Sequence, residues 1–141
     1  MLTTVEKVIF LQDIDIFEFT TTENLGYIAA ITEEVDLDSG TTIFMEGEFP
    51  DSMFLVIKGK VRMTRENVEI MVAQDKDVFG TWALFDDEPR VATAITVEDT
   101  RLLRIDKEDF IDLLADHVEI TQSVLKTMVK RLRQLMTRFN R

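Results

Sequence analysis

Two residues at a fixed spacing give this sequence its clearest chemistry, a glycine at position 80 and an arginine at position 90. Gly80 ends a strand-like run, and a residue without a Cβ lets the backbone turn there into a short apolar helical turn. The first N–H groups of such a turn have no partners within it and face any anion in front of them. Arg90 adds a guanidinium, whose fork of donors matches phosphate oxygens. Together these residues predict a site for a small anion.

The stretch that joins them, VFGTWALFDDEPRVA at positions 78–92, resembles the phosphate-binding cassette of the cyclic nucleotide-binding domain family. The family's usual form reads Phe-Gly-Glu, an apolar residue, Ala-Leu, a short loop, and then Pro-Arg followed by a small residue and Ala. The resemblance implies that Arg90 pairs with a cyclic phosphate, with cAMP or cGMP as the candidate ligand. The ligand-binding residues that it implies are Gly80, Thr81, Trp82, Ala83, Arg90, Val91 and Ala92.

The cassette departs from the family pattern at Thr81, where relatives carry a glutamate that accepts a hydrogen bond from the ribose 2′-hydroxyl. A hydrogen bond to a charged group is worth about 1.5–3 kcal/mol, or roughly 10- to 150-fold in affinity. Threonine is shorter and neutral, so the resemblance implies weaker nucleotide binding here. Val91 stands where some relatives have a threonine or serine that contacts guanine, which argues against selectivity for cGMP.

The same cassette residues have purely structural interpretations. Arg90 would then form a surface ion pair with a neighbouring acid, and Thr81 would cap the helical turn. Trp82 and Phe85 flank the turn, and aromatic residues in such a pattern favour core packing over stacking on a base. The neighbouring acids are Asp86, Asp87 and Glu88.

Composition narrows the class of protein. The 141 residues suffice for one domain with a sizeable core, since 45% of them are hydrophobic. No apolar run approaches membrane-spanning length, no leader is evident and cysteine is absent, so we expect a cytoplasmic domain without disulfides. His117 is the one histidine, which argues against metal or haem ligation and against an enzyme with a histidine base. We expect no catalytic residues, no metal and no cofactor.

Charge is distributed very unevenly along the chain. Residues 1–119 hold all 27 acidic residues and 10 of the 16 basic ones, a net charge of −17, whereas residues 120–141 hold six basic residues and no acidic one. The acidic part would be repelled by nucleic acid and by anionic lipid. The basic residues are expected to form a solvated helix face, with contact to the acidic part or to a partner as the alternative. They are Lys126, Lys130, Arg131, Arg133, Arg138 and Arg141.

The middle of the chain has the pattern of a β-roll. Between residues 34 and 106, short strand-like stretches alternate with turn signals that include Gly40, Gly47 and Gly59. About eight such strands predict a double-stranded β-helix, a jelly-roll-like sandwich. Residues 52–57 are almost continuously apolar, so that strand is expected to be buried on both faces. The predicted fold class is therefore mainly β with flanking helices.

Helices are predicted on both sides of the strands. Thr3 with Glu6, and Thr20 with Glu23, have capping-box spacing and predict two N-terminal helices, the second over about residues 21–31. Asp106 is the expected N-cap of a helix that follows the strands. The predicted organisation is a single domain, 1–141, with N-terminal helices at 1–31, a β-roll at 32–106 that contains the cassette at 79–92, and C-terminal helices at 107–141.

The last predicted helix, about 118–139, carries a heptad seam. Its positions recur at alternating spacings of three and four, which is typical of a coiled coil. In the catabolite-activator branch of the family the equivalent helix forms a parallel dimer seam, so the resemblance implies a homodimer. The alternative is that these residues cover the core of one chain. The seam positions are Val118, Thr121, Leu125, Met128, Leu132, Leu135 and Phe139, and a second apolar edge for packing on the roll contains Ile120, Val124, Val129 and Met136.

The resemblance implies a regulatory or sensor module that binds a cyclic nucleotide or a similar small anion through the cassette and signals through the last helix. The alternative is the same fold without nucleotide binding, serving as a dimerisation or docking module of a larger protein linked to helical repeats or a transporter. A third interpretation is a sensor for another effector, such as an organic acid. Direct DNA binding is not expected, because nothing after residue 139 forms a helix-turn-helix.

Overall fold

The structure is a computed structural model and describes residues 1–139, so Arg141 lies outside the described residues. The chain forms two compact units, each with its own set of elements. One unit consists of Ile31–Ile111 together with Met1, and the other combines Leu2–Ala30 with the chain from Asp112 onward.

The unit of Ile31–Ile111 contains eight strands in two four-stranded antiparallel sheets, within the described residues. The strand order is β1-β8-β3-β6 in one sheet and β2-β7-β4-β5 in the other. This arrangement confirms the predicted fold class. The strands are β1 (Thr32–Leu37), β2 (Thr42–Phe44), β3 (Ser52–Lys58), β4 (Val61–Arg65), β5 (Val68–Ala73), β6 (Val78–Phe79), β7 (Thr93–Thr96) and β8 (Thr100–Asp106).

Strand β3 is the apolar strand that the sequence predicted to be buried on both faces. Residues 52–56 are all buried, because β3 lies between β8 and β6 within its sheet. Its Phe54 stacks on Phe79 of β6 with ring centroids 5.2 Å apart, and Phe44 of β2 lies 6.2 Å from Phe54 and 6.0 Å from Phe79. Burial of each ring contributes about 1.5–3 kcal/mol, so this aromatic cluster fixes the end of β6 at which the cassette begins.

Strand β7 covers only Thr93–Thr96, so Arg90 lies outside it. The backbone before it pairs elsewhere: the N–H of Arg90 donates to the carbonyl of Glu48 at 2.9 Å, and the N–H of Gly47 donates to the carbonyl of Arg90 at 2.9 Å. These bonds tie Arg90 to the turn after β2 instead of to a sheet.

The second unit begins with α1 (Thr4–Leu11) and α2 (Thr22–Ala30). The capping box of α1 is confirmed, because the N–H of Glu6 donates to the Thr3 hydroxyl and the Glu6 carboxylate accepts from the N–H of Thr3. The predicted box at the start of α2 is wrong by one residue. Thr21 accepts from the N–H of Asn24 at 3.2 Å, whereas Thr20 is buried and its hydroxyl has no partner within residues 1–139.

Two helices follow the strands, α3 (Lys107–Asp116) and α4 (Val118–Phe139). The Asp106 carboxylate accepts from the N–H groups of Glu108 at 2.9 Å and Asp109 at 3.2 Å, which confirms it as the cap of α3. Within residues 1–139, no helix has an apolar stretch long enough to cross a lipid bilayer.

Burial along α4 corrects the predicted second apolar edge. Ile120, Val124 and Thr127 are buried, but every residue from Val129 to Phe139 is exposed, including Met136. The helix therefore packs only through its first half. A 3.6-residue period identifies an apolar edge but does not say how far along the helix the edge is covered.

Two of the basic residues of α4 are not simply solvated, contrary to prediction. Lys130 Nζ lies 2.6 Å from the Glu18 carboxylate, and Arg131 Nη2 lies 3.2 Å from Asp15. Both acids belong to the same unit as α4, at a 3₁₀ turn over Asp15–Phe17 and directly after it. The two ion pairs hold this turn against the helix.

Candidate functional site

The cassette begins where β6 ends at Phe79. Gly80 has φ +74°, a left-handed conformation that residues with a Cβ rarely adopt, and a 3₁₀ turn follows over Thr81–Leu84. The first hydrogen bond of the turn runs from the N–H of Ala83 to the carbonyl of Gly80 at 3.1 Å. This geometry confirms the predicted change from strand to helical turn at Gly80. Ala83 is buried beneath the turn.

Arg90 lies at the centre of this region although it is ten residues further along the chain. Its side chain is almost completely covered, and the residue as a whole is 8% exposed. Nη2 donates to the carbonyl of Ser52 at 2.8 Å and lies 3.4 Å from the carboxylate of Asp51. The guanidinium also lies over the Phe44 ring, with Cζ 4.1 Å from the ring centroid. The start of β3 and the aromatic cluster therefore hold the cation.

The electrostatics of Arg90 reflect this burial. Loss of water lowers the pKa of its guanidinium, and the carboxylates of Asp51 and Glu48 oppose that shift. Arginine remains protonated, so a positive charge is kept in a dry location. The Asp51 side chain is itself exposed, and its carboxylate contacts the Arg90 guanidinium only at Nη2.

One donor of Arg90 stands out. Its Nε is buried and has no hydrogen-bond partner within residues 1–139. A buried donor without a partner costs about 1–3 kcal/mol, and more for a charged group. Buried polar groups of native proteins are nearly always satisfied, so an unpaired donor on a buried cation is unusual.

Gly80 and Arg90 approach each other closely. A Cβ atom at position 80 would lie 2.8 Å from Arg90 Nη1 and 3.3 Å from the carbonyl oxygen of Ser52. Glycine is therefore required here both for the positive φ and for space. The two residues that the sequence singled out for anion chemistry are brought together.

The predicted ion pair between Arg90 and a neighbouring acid is not formed. Asp87 pairs with Lys107, and Asp86 accepts from the N–H of Glu88. The partner of Arg90 is Asp51, 39 residues earlier. Sequence reasoning missed Asp51 and Ser52, although an acid directly before the fully apolar strand was a signal that could have found them.

Two other structural interpretations of the cassette are also corrected. The hydroxyl of Thr81 makes no capping bond, because Gly80 is the N-cap of the turn and no side chain caps it. Trp82 is not in the core, since it is 73% exposed. Phe85 is partly exposed and meets Phe110 edge to face, with ring centroids 5.7 Å apart. An apolar pattern in a four-residue turn does not say which side chain faces inward.

The last two predicted ligand-binding residues point to different environments. Ala92 is buried in the core cluster, whereas Val91 is about half exposed. Among the seven cassette residues, Gly80 and Arg90 thus lie in contact with each other. Ala83 and Ala92 are buried in the core, whereas Trp82 and Val91 are exposed at the surface. Thr81 is half-buried at the start of the turn.

The heptad seam of α4 is largely uncovered in the single chain. Its apolar side chains at Leu125, Leu132, Leu135 and Phe139 are each at least half exposed, and Met128 is partly buried. A row of leucines with this exposure is unusual for a helix whose function is only to cover its own core.

Comparison with known proteins identifies the family and the fold. The profile of the family described as "Cyclic nucleotide-binding domain" matches residues 34–117. The chain is 34% identical over 116 residues to the CRP-like cAMP-activated global transcriptional regulator of Mycobacterium tuberculosis, covering 76% of this chain and 51% of that protein. It is 30% identical over 117 residues to the cyclic AMP receptor protein of Thermus thermophilus, covering 72% of this chain and 54% of that protein. The chain thus spans about half the length of these relatives.

A solved structure shows the same architecture. The N-terminal domain of a transcriptional regulator from Streptomyces coelicolor A3(2) superposes with a TM-score of 0.83 at 27% identity. The superposition covers 89% of this chain and 94% of that domain.

Proposed function

Because this chain belongs to the cyclic nucleotide-binding domain family, a family of regulatory domains, we propose that its cassette binds the phosphate of a cyclic nucleotide or a similar small anion through Arg90. The observation that carries the proposal is the buried guanidinium of Arg90, whose Nε has no acceptor within residues 1–139. An anion that reaches this group gains a charge-assisted hydrogen bond and removes the cost of an unsatisfied donor.

Cyclic AMP is the first ligand to test. The names of the Mycobacterium tuberculosis and Thermus thermophilus relatives both refer to cAMP, and each shares at least 30% identity with this chain. The half-exposed Val91 supplies no hydroxyl to a guanine, so cGMP is expected to have no advantage.

The affinity is expected to be modest. Thr81 contributes no carboxylate to a ribose hydroxyl, and the lost interaction corresponds to about 1.5–3 kcal/mol. In addition, Arg90 Nη2 already donates to Ser52, so a ligand gains only through the remaining donors. We therefore expect binding in the micromolar range or weaker.

The proposed output runs through α4. A ligand changes a conformational equilibrium only if it binds one arrangement better than another. The seam at Leu125, Met128, Leu132, Leu135 and Phe139, which is exposed except at the partly buried Met128, supplies an element through which two copies would associate as a parallel dimer. Ligand binding in the cassette is then expected to alter the position of α4 and the stability of the dimer.

Trp82 offers a direct test, because it is the one tryptophan and belongs to the cassette. Its fluorescence should change saturably when cAMP is titrated, and the change should be lost in Arg90→Lys, which keeps the charge but not the guanidinium fork. The matched control is Arg62→Lys, at an exposed position of β4. A response that survives in Arg90→Lys, or the absence of any response at millimolar cAMP together with no heat of binding, would contradict the proposal.

A further inference from the structure

A groove along α4 carries most of the positive charge of the helical unit. It has a volume of about 760 Å³, and we call it the basic groove. All of its lining residues belong to the unit that contains α1, α2 and α4. The residues that define it here are Phe19, Lys126, Val129, Lys130, Arg133 and Arg138.

The floor of the basic groove is built by the segment after the 3₁₀ turn. Ile16 and Phe17 of the turn are buried, and exposed ion pairs of Glu18 with Lys130 and of Asp15 with Arg131 join the segment to α4. Phe19 lies beneath two ammonium groups, with Lys126 Nζ 4.6 Å and Lys130 Nζ 5.5 Å from its ring centroid. Cation–π contacts of this kind position the lysine side chains along one wall.

The positive charge of the basic groove is mostly uncompensated. Lys130 has Glu18 as a partner, but Lys126, Arg133 and Arg138 form no ion pair with a carboxylate within residues 1–139. They lie in residues 120–141, which contain no acidic residue. Three cations beside an apolar floor are therefore available to pair with an anionic group from outside the chain.

The dimensions of the basic groove indicate what kind of anion fits. Lys126 and Arg138 are twelve residues apart on α4, which corresponds to about 18 Å along the helix. An extended peptide covers this length with about five or six residues. A single phosphate or carboxylate would reach only one of the three cations.

We propose that the basic groove binds an acidic linear segment of a partner protein. Carboxylates of the segment pair with Lys126, Arg133 and Arg138, and an apolar side chain of the segment packs against Phe19 and Val129. Charge complementarity and length together carry this proposal, which does not depend on nucleotide binding in the cassette.

Other occupants fit less well. A nucleic acid duplex or a broad anionic membrane extends far beyond the groove and is repelled by the net charge of −17 on residues 1–119, whereas a segment of five or six residues stays within the groove. A second copy docking through the seam uses mainly another side of α4: at 3.6 residues per turn, Lys126 and Lys130 lie more than a quarter turn from Leu125, Leu132 and Leu135. The lysine side of the groove therefore stays accessible when the seam is occupied.

The test uses a random hexapeptide display library panned on the whole chain, followed by fluorescence anisotropy with labelled peptides. The expected result is enrichment of peptides with several acidic residues and at least one apolar residue, whose affinity falls about tenfold or more in Lys126→Glu/Arg133→Glu. The matched control is Arg62→Glu/Arg65→Glu, which changes the net charge equally at exposed positions of β4. That control should bind the peptides as the parent chain does.

Each other outcome would overturn the proposal. These outcomes are no enrichment of acidic peptides, an equal loss of affinity in both charge-reversed chains, or binding to phosphatidylglycerol vesicles in place of peptides. Self-association that depends on Lys126 and Arg133 would assign the basic groove to a second copy.

Lys126→Gln/Arg133→Gln removes the charges without introducing repulsion, and its circular dichroism verifies that α4 remains folded.

Discussion

Gly80 and Arg90 are packed so closely that a methyl group at position 80 would lie 2.8 Å from Nη1 of the guanidinium. The turn at Gly80 and the guanidinium of Arg90 form the two sides of the predicted anion site. Because they are in close contact, a change in one displaces the other. Ser52, at the start of β3, fixes the other side of the guanidinium through its carbonyl.

We expect Gly80→Ala to weaken cAMP binding and to lower the free energy of unfolding by about 1 kcal/mol or more, since the new Cβ displaces Arg90 and strains a backbone with φ +74°. Urea unfolding and calorimetry measure the two effects. Gly26→Ala is the matched control, because its Cβ meets nothing within 4 Å and the position is helical, so that change is expected to be neutral or stabilising. Equal effects of the two substitutions would contradict the close packing.

The substitution Thr81→Glu is expected to increase affinity for cAMP by roughly 10- to 150-fold, because it restores a charged acceptor at the start of the turn. Binding of 2′-deoxy-cAMP should be unaffected, since that ligand has no hydroxyl to donate. Thr81→Gln serves as the isosteric control and should give a smaller gain. An equal gain for the deoxy ligand would show that the glutamate acts by another route.

Some features of the fold follow directly from local sequence. Thr3 with Glu6, and Asp106 before Lys107, are caps whose partners lie within three residues, so spacing alone predicted them. The helix α4 was likewise predictable, because its apolar residues recur at spacings of three and four. Thr20 has the glutamate three positions later that a capping box needs, whereas Thr21 is followed there by Asn24, so the local pattern favours the threonine that does not cap the helix.

The parts that could not be predicted depend on long-range packing. Asp51 and Ser52 meet Arg90 from 38 or 39 residues away, which no local spacing encodes. The exposure of Trp82 depends on how a four-residue turn is rotated about its axis, and the length of β7 depends on the pairing of Arg90 with Gly47 and Glu48. Resemblance to a family predicted where the candidate site lies, whereas the partners of Arg90 depend on contacts between distant segments of the chain.

A dimer through the α4 seam is expected to dissociate in Leu132→Asp, because a carboxylate then faces the apolar seam of the partner. Sedimentation velocity over a range of concentrations measures the change. Gln134→Asp, on a different side of the same helix, is the control and should leave the association intact. A parent chain that stays monomeric at high concentration would eliminate the proposed dimer.

Acid should weaken the contact between Asp36 of β1 and Arg101 of β8, whose Nε lies 2.7 Å from the carboxylate. The hydrogen bond and the charge of Arg101 lower the pKa of Asp36 below its ordinary value. A carboxyl with a lowered folded-state pKa stabilises the protein above its unfolded-state pKa, and this stabilisation is lost as the pH falls through the folded-state value.

Asp36→Asn should therefore lower stability slightly at about pH 7, and this difference should shrink as the pH falls below the ordinary carboxyl pKa of about 4, by urea unfolding. The effect is expected to be small and sensitive to salt, because both residues are exposed. Asp13→Asn, at an exposed position without an ion pair in residues 1–139, is the control. A difference that grows toward low pH would have the wrong sign for this account.

Calorimetric titration of cAMP into the parent chain, Arg90→Ala and Arg62→Ala tests directly whether Arg90 binds the ligand. We expect saturable binding by the parent and by Arg62→Ala, which removes an exposed arginine of β4, and no detectable heat of binding for Arg90→Ala with its circular dichroism unchanged. Parent chain that takes up no cAMP at millimolar concentration, or Arg90→Ala that binds as tightly as the parent, would contradict this expectation.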